Sequence, residues 1–241
     1  SDYSILDQPG VLMHLFHPRP ELGSRPARAN RKDIMIPVEE GVQVGASFHF
    51  ASADAPLVLF FHGNGEIVSD YDDLGILFTQ SGLNFFVVDY RGYGSSGGSP
   101  TVTAMIRDAQ IIFDFVREYM SAEKLTGHLC VMGRSLGSAS ALELAKERED
   151  QFNALIIESG FAWMKPLLRT LGVFVEDGET GSQDGIENID KIDDYTFKGT
   201  NPTPPEDKLI INGNQSVARA AIDSNIHFYA YTLSRTQLLF R

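Results

Sequence analysis

The chain has 241 residues, of which 43% are hydrophobic and 10% aromatic, and its formal net charge at pH 7 is −12. This composition is typical of one globular domain that buries its own core. The negative charge argues against nucleic acid or an anionic membrane as a partner, because phosphate groups attract clustered cations. A single cysteine, Cys130, excludes an internal disulfide and lies in an apolar run that favours core packing. No leader or membrane span is apparent, so we expect a cytoplasmic location unless a segment has been removed.

The first 32 residues combine an apolar run at 11–16 with a stretch rich in Pro, Arg and Gly. We expect an N-terminal extension, residues 1–32, whose apolar face packs on the main domain and continues into an irregular loop. His14 and His17 flank the apolar run without a nearby acidic residue, so we interpret both as surface or packing residues. The main domain then covers residues 33–241.

From residue 34 onward, strands and helices are predicted in alternation. Two segments separated by a short turn, 34–38 and 42–50, predict a β-hairpin. Continuous apolar runs predict strands buried on both faces of a sheet: 57–61, 85–88, 129–132 and 154–157. Helical periodicity or helix-forming composition predicts the connecting helices: 69–81, 105–119 and 139–148. This rhythm predicts a mostly parallel, doubly wound α/β sheet with helices on both faces.

The segment 129–138 predicts a strand, a sharp turn and a helix, with Ser135 at the apex of the turn. Gly133 and Gly137 stand two residues before and two residues after the serine, which is the G-x-S-x-G pattern. Glycines at these positions let the strand and the helix approach each other, while the central residue is strained and its hydroxyl is exposed. An ordinary strand-to-helix turn is the alternative interpretation.

Two further motifs follow predicted strands. His-Gly-Asn-Gly occupies 62–65, and Asp-Tyr-Arg-Gly-Tyr-Gly-Ser occupies 89–95. In a parallel sheet the strand ends that carry Asn64, Arg91, Ser135 and Ser159 gather at one edge, where ligands bind.

In this order the three motifs resemble those of the α/β-hydrolase superfamily, and in particular its small, esterase-like serine hydrolases. The similarity covers about residues 33–165. The resemblance implies the α/β-hydrolase fold and an acyl-enzyme mechanism that needs no metal and no organic cofactor. It implies a small-molecule substrate with an ester, thioester or amide carbonyl, of which we favour a carboxylic ester.

Within this resemblance Ser135 is the nucleophile, and it requires a base because a serine hydroxyl is a poor nucleophile at neutral pH. The backbone N–H groups of Asn64 and Leu136 form the oxyanion hole. His62 lies near the site, but the histidine at this position supports the loop in the superfamily, so we do not expect it to be the base.

Three more residues are candidates for substrate binding because they belong to the same loops: Gly63, Arg91 and Arg134. For Arg91, as for Tyr93, holding its loop in shape is the alternative role. Arg134 occupies the variable position before Ser135 in the G-x-S-x-G turn, which we call the elbow. There it could instead shape the entrance of the site.

Residues 161–185 interrupt the alternation with an apolar group followed by a loop rich in Gly, Asp and Glu at 176–185. The resemblance implies a short helical lid here, and a plain surface helix packed on the sheet is the alternative. An apolar lid favours an acyl or other hydrophobic substrate of modest size.

Residues 198–241 depart from the superfamily pattern. The segment 208–213 looks like the strand that precedes the catalytic aspartate, yet no acidic residue follows it. His227 is the only histidine after Ser135, and it leads into a predicted strand rather than lying in a loop at the catalytic edge. His227 is therefore the candidate base, and its acidic partner is not identified.

Three explanations of this tail stay open. The tail is altered or truncated, through a shifted reading frame for example, and the hydrolase is crippled. Alternatively, the triad is unusual and pairs His227 with Glu158 at the end of the sixth strand. Finally, the domain is a non-catalytic relative that binds a ligand or partner in the same cleft. A missing last strand would also expose a sheet edge, which predicts a homodimer or poor solubility.

Overall fold

A computed structural model of the protein describes residues 3–161, 164–170, 172, 173 and 188. The predictions for His227, for residues 198–241 and for the loop at 176–185 lie outside the described residues.

Six strands form one sheet, and the buried runs of the sequence supply its centre. The strands are β1 (Arg31–Glu39), β2 (Val42–His49), β3 (Leu57–Phe61), β4 (Asn84–Val88), β5 (Leu129–Arg134) and β6 (Ala154–Glu158). Their order across the sheet is β1-β2-β4-β3-β5-β6. β3 to β6 run parallel, whereas β1 and β2 form an antiparallel hairpin whose second strand pairs antiparallel with β4. The predicted hairpin and the four predicted buried strands are confirmed.

Five α-helices are described: α1 (Pro9–Leu15), α2 (Asp72–Gln80), α3 (Val102–Ala122), α4 (Gly137–Arg148) and α5 (Met164–Thr170). α2 begins later than predicted because a 3-10 turn, Val68–Tyr71, precedes it. α3 is longer than predicted, since its first turn has a cap that periodicity does not reveal. The Thr101 hydroxyl accepts a hydrogen bond from the Ala104 N–H at 3.0 Å, which satisfies one of the free donors at the helix start.

Alternate side chains of the parallel strands enter two separate cores. Leu59 and Phe61 of β3 face the larger core, to which α3 and α4 contribute. Val58 and Phe60 face the smaller core, which Phe78 of α2 covers. Helices therefore pack on both faces of the sheet, and the predicted α/β-hydrolase fold is confirmed.

The N-terminal extension packs on the main domain, as its apolar run predicts. Four of its apolar side chains are buried in the larger core: Leu6, Val11, Leu15 and Phe16. The Asp7 carboxylate accepts a hydrogen bond from the Val102 N–H at 2.8 Å, and the Tyr3 hydroxyl donates to Glu143 of α4 at 3.3 Å. The extension is thus fixed to both α3 and α4.

Of the predicted lid, the structure describes mainly α5. Met164 and Leu168 are fully buried in the larger core. The lid at 161–185 and the plain surface helix both stay predictions.

No helix in the described part of the chain combines the length and the apolar character needed to cross a bilayer.

Candidate active site

Ser135 lies at the tip of the turn between β5 and α4. Its φ is +49°, in the left-handed region that residues with a side chain seldom adopt, and the residue is exposed. The Ser135 N–H donates to the carbonyl of Glu158 at 2.9 Å, and its carbonyl accepts from the Ser138 hydroxyl at 2.6 Å. Hydrogen bonds on both sides therefore hold the strained backbone and leave the serine accessible.

The two glycines of this elbow are required by close packing. A Cβ atom on Gly133 would overlap the carbonyl oxygen of Gly137, and one on Gly137 would overlap that of Phe61. Both overlaps are well inside 3.0 Å, a separation that real Cβ atoms essentially never show. The steric reason for the G-x-S-x-G pattern therefore holds at both positions.

The loop at 62–66 follows β3 and carries one of the predicted oxyanion donors. The Gly63 N–H is occupied, because it donates to the Glu66 carboxylate at 2.7 Å. The backbone N–H groups of Asn64 and Leu136, by contrast, have no acceptor among the described residues. These are the two donors that the resemblance implies for the oxyanion hole.

The side chain of Asn64 is held by three hydrogen bonds. Its Oδ1 accepts from the Tyr93 hydroxyl at 2.6 Å and from the His17 N–H at 2.9 Å, and its Nδ2 lies 2.7 Å from His17 Nδ1. His17 is exposed, as predicted, yet the sequence gives no sign of this contact because 47 positions separate the two residues.

His62 is fully buried behind the loop. Its Nε2 lies 3.0 Å from Asp89 Oδ1, and its Nδ1 lies 2.8 Å from the carbonyl oxygen of Gly63. Both ring nitrogens thus face oxygen acceptors, and neither is placed to take a proton from Ser135. These contacts accord with the supporting role that the resemblance implies.

Arg91, a candidate for substrate binding, is buried in an ion-pair cluster. Its Nε and Nη2 donate to Asp108 at 2.6 and 2.9 Å, and its Nη1 donates to Glu39 at 2.5 Å. Hydrogen bonding to Asp108 raises the pKa of the guanidinium above its usual range. Because all three nitrogens are engaged, the geometry favours the alternative role of holding the loop.

Arg134 connects the elbow to the neighbouring loops. Its guanidinium pairs with Glu66, lies 3.3 Å from the Tyr71 hydroxyl and lies 3.7 Å from Oε1 of Glu158. Tyr71 also donates to Glu66. Arg134 remains partly exposed, with 39% of its side chain accessible, and a role at the entrance of the site stays a prediction. Glu66 and Tyr71 are site residues that the sequence did not single out.

No histidine in the described part of the chain forms a hydrogen bond with Ser135, although that part contains His14, His17, His49, His62 and His128. His227 lies outside the described residues and stays the predicted base. Glu158, the alternative acid, lies at the end of β6 directly beside the elbow. Among the described residues there is no group of three or more side chains suited to hold a metal ion.

A family model described as "Serine aminopeptidase, S33" matches residues 52–177. The chain is 36% identical over 141 residues to alpha/beta hydrolase domain-containing protein WAV2 of Arabidopsis thaliana, a match that covers 56% of this chain and 45% of WAV2. It is 35% identical over 111 residues to lysophosphatidylserine lipase ABHD12 of Gallus gallus, covering 44% of this chain and 28% of ABHD12. The chain therefore spans less than half the length of each of these two relatives.

Among solved structures, the esterase Pf2001 of Pyrococcus furiosus superimposes with a TM-score of 0.52 at 20% sequence identity. The superposition covers 64% of this chain and 62% of the esterase. At this identity the likeness shows a common fold.

Proposed function

This chain belongs to the serine aminopeptidase family within the α/β-hydrolase superfamily, and from that membership we propose that it is a serine hydrolase that cleaves carboxylic esters through an acyl-enzyme on Ser135. One observation carries the proposal. An exposed serine with φ of +49° follows β5, and two backbone N–H groups have no acceptor among the described residues: that of Leu136, the next residue, and that of Asn64, which follows the neighbouring strand β3.

In the proposed reaction the Ser135 Oγ attacks the ester carbonyl carbon while its proton passes to a base, for which His227 is the candidate. The charge that develops on the carbonyl oxygen is stabilised by the N–H groups of Asn64 and Leu136, and losing one such donor typically costs a factor of about 10²–10³ in rate. The carbon–oxygen bond to the alcohol then breaks, and the alcohol leaves with the proton. Water hydrolyses the acyl-enzyme by the same steps and releases the acid.

The contacts of the two described acidic residues around Arg134, Glu66 and Glu158, favour an ester over a peptide with a free amino terminus. An aminopeptidase needs an unpaired anion near the serine to bind the substrate ammonium group. Glu66 instead accepts from Gly63 and Tyr71 and pairs with Arg134, and Glu158 also faces Arg134. The relative ABHD12 is described as a lipase, which supports the same choice.

The test is the hydrolysis of p-nitrophenyl butyrate by the full chain and by its Ser135→Ala variant. Ser121→Ala is the matched control, because Ser121 is also an exposed serine but lies in the last turn of α3 and not after the end of a strand. We expect Ser135→Ala to fall to the background rate while the control keeps the activity of the wild type. An aminoacyl p-nitroanilide should be cleaved more slowly than the ester.

A fluorophosphonate probe separates the proposal from the alternative of an inactive relative, because the probe reacts with an activated serine. Intact-mass measurement should show one adduct on the wild type and none on Ser135→Ala. Ester hydrolysis that is equal in both proteins, with no adduct on either, would overturn the proposal and leave the domain as a binding module.

A further inference from the structure

A short N-terminal segment, residues 16–21, lies across both loops of the candidate site, and we call it the strap. The Gly94 N–H donates to the Arg19 carbonyl at 2.8 Å, and the Glu21 N–H donates to the Gly94 carbonyl at 3.0 Å. On the other loop, Arg19 Nε donates to the Gly65 carbonyl at 3.3 Å. The strap lies outside the residues that the family model matches, 52–177.

The orientation of the Asn64 amide follows from its partners. The backbone N–H of His17 can only donate, so the atom that it contacts must be the amide oxygen of Asn64. The amide nitrogen then faces His17 Nδ1 at 2.7 Å and must donate to it. His17 therefore binds both ends of the Asn64 amide, one with its backbone and the other with its ring.

This double contact matters because the loop has little stiffness of its own. Asn64 lies between Gly63 and Gly65, and Gly65 has a φ of +74°. Glycine backbones have more conformations to lose than any other residue. Glu66 fixes the Gly63 N–H on one side of Asn64. On the other side, Arg19 contacts the Gly65 carbonyl, and the Asn64 side chain adds the contacts to Tyr93 and His17 that hold the loop.

We propose that His17 is a positioning residue of the oxyanion hole: it holds the Asn64 side chain and thereby fixes the direction of the Asn64 backbone N–H. His17 acts through Asn64 and does not touch the reacting atoms. The catalytic consequence rests on the proposed function of Ser135, whereas the effect on the loop can be measured without any activity.

Hydrogen–deuterium exchange of the full chain tests the effect on the loop. His17→Ala keeps the backbone N–H and removes the ring, so we expect faster exchange in peptides that cover residues 60–68. Peptides from α3 should not change. His14→Ala is the matched control, because the ring of His14 bonds within α1, to the Gly10 carbonyl at 2.8 Å. His17→Asn should restore slow exchange, since its amide oxygen can accept where Nδ1 did.

The kinetic test uses the same variants with p-nitrophenyl butyrate. We expect His17→Ala to lower kcat about tenfold or more, with KM changed less than about twofold, and His17→Asn to recover most of the loss. Unchanged exchange at 60–68 in His17→Ala would overturn the proposal whatever the activity. Faster exchange with an unchanged kcat would overturn the link to catalysis. A wild type without Ser135-dependent hydrolysis would refute the proposed function, and exchange would still decide whether His17 holds the loop.

Discussion

His49 should make the folded protein sensitive to mild acid. The residue ends β2, its side chain is only 1% exposed, and its Nε2 lies 3.9 Å from Asp72 Oδ1. Burial lowers the pKa of His49 to about 4, and this lowering prevails although Asp72 and Asp33 raise the pKa while Arg25 and Arg31 lower it. An exposed histidine in the unfolded chain has a pKa of about 6.5. The unfolded state therefore binds the proton first as the pH falls.

The difference between the two pKa values fixes the direction and the size of the change in stability with pH. The contribution of the neutral ring to stability is present above about pH 6.5 and is lost as the pH falls toward about 4. Between about pH 7 and pH 5, linkage to this one group removes about 2 kcal/mol from the free energy of unfolding.

His49→Phe removes the titrating group and keeps a ring at the position. The measurement is urea unfolding followed by circular dichroism at about pH 7 and pH 5. Between these two pH values, we expect the free energy of unfolding to fall by about 2 kcal/mol less in His49→Phe than in the wild type. His128→Gln is the control, because His128 is exposed and precedes a strand. If the wild type and His49→Phe lose the same free energy over this interval, the argument from burial is wrong.

Two more substitutions test the packing around the site. Gly137→Ala should destabilise the protein by more than about 3 kcal/mol or prevent folding, because the new Cβ overlaps the carbonyl of Phe61. The control Gly10→Ala should fold normally, since a Cβ there meets nothing within 4 Å. An equal loss of stability in both variants would contradict the steric reason. Arg91→Ala should cost about 3 kcal/mol because it removes the bidentate cation from the buried Asp108 carboxylate. The half-exposed Arg107→Ala should cost less than about 1 kcal/mol. Similar thermal denaturation of both variants would refute a structural role for Arg91.

The sequence predicts those parts of the fold that depend on neighbouring residues. The central strands are continuous apolar runs because parallel strands are buried on both faces. Gly133 and Gly137 are recognisable because a tight turn permits no side chain at either position. The position of Gly63 and Asn64 at the edge of the sheet is also predictable, because their motif directly follows a buried strand. The role of Asn64 in the oxyanion hole comes from the resemblance.

Contacts between distant segments could not be predicted from one sequence. His17 meets Asn64 across 47 positions, and nothing in the local pattern of either residue specifies the other. The ion pair between Arg91 and Asp108 could not be predicted either, because Asp108 belongs to a helix whose packing is set by the whole sheet. Glu66 is predictable as a neighbour of the site, because it follows the His-Gly-Asn-Gly motif directly. The role of His227 stays a prediction.

The anchoring of the N-terminal extension has a consequence for how the protein is made. Residues 3–21 leave the ribosome before the rest of the described domain, yet Tyr3 bonds to Glu143 and Asp7 bonds to the start of α3. Four apolar side chains of the extension, buried in the final structure, therefore stay uncovered until most of the described domain has been synthesised. Exposed apolar segments of this kind are the surfaces that chaperones recognise in nascent chains. Within the described domain, the residues that are synthesised first are therefore among the last to reach their native places.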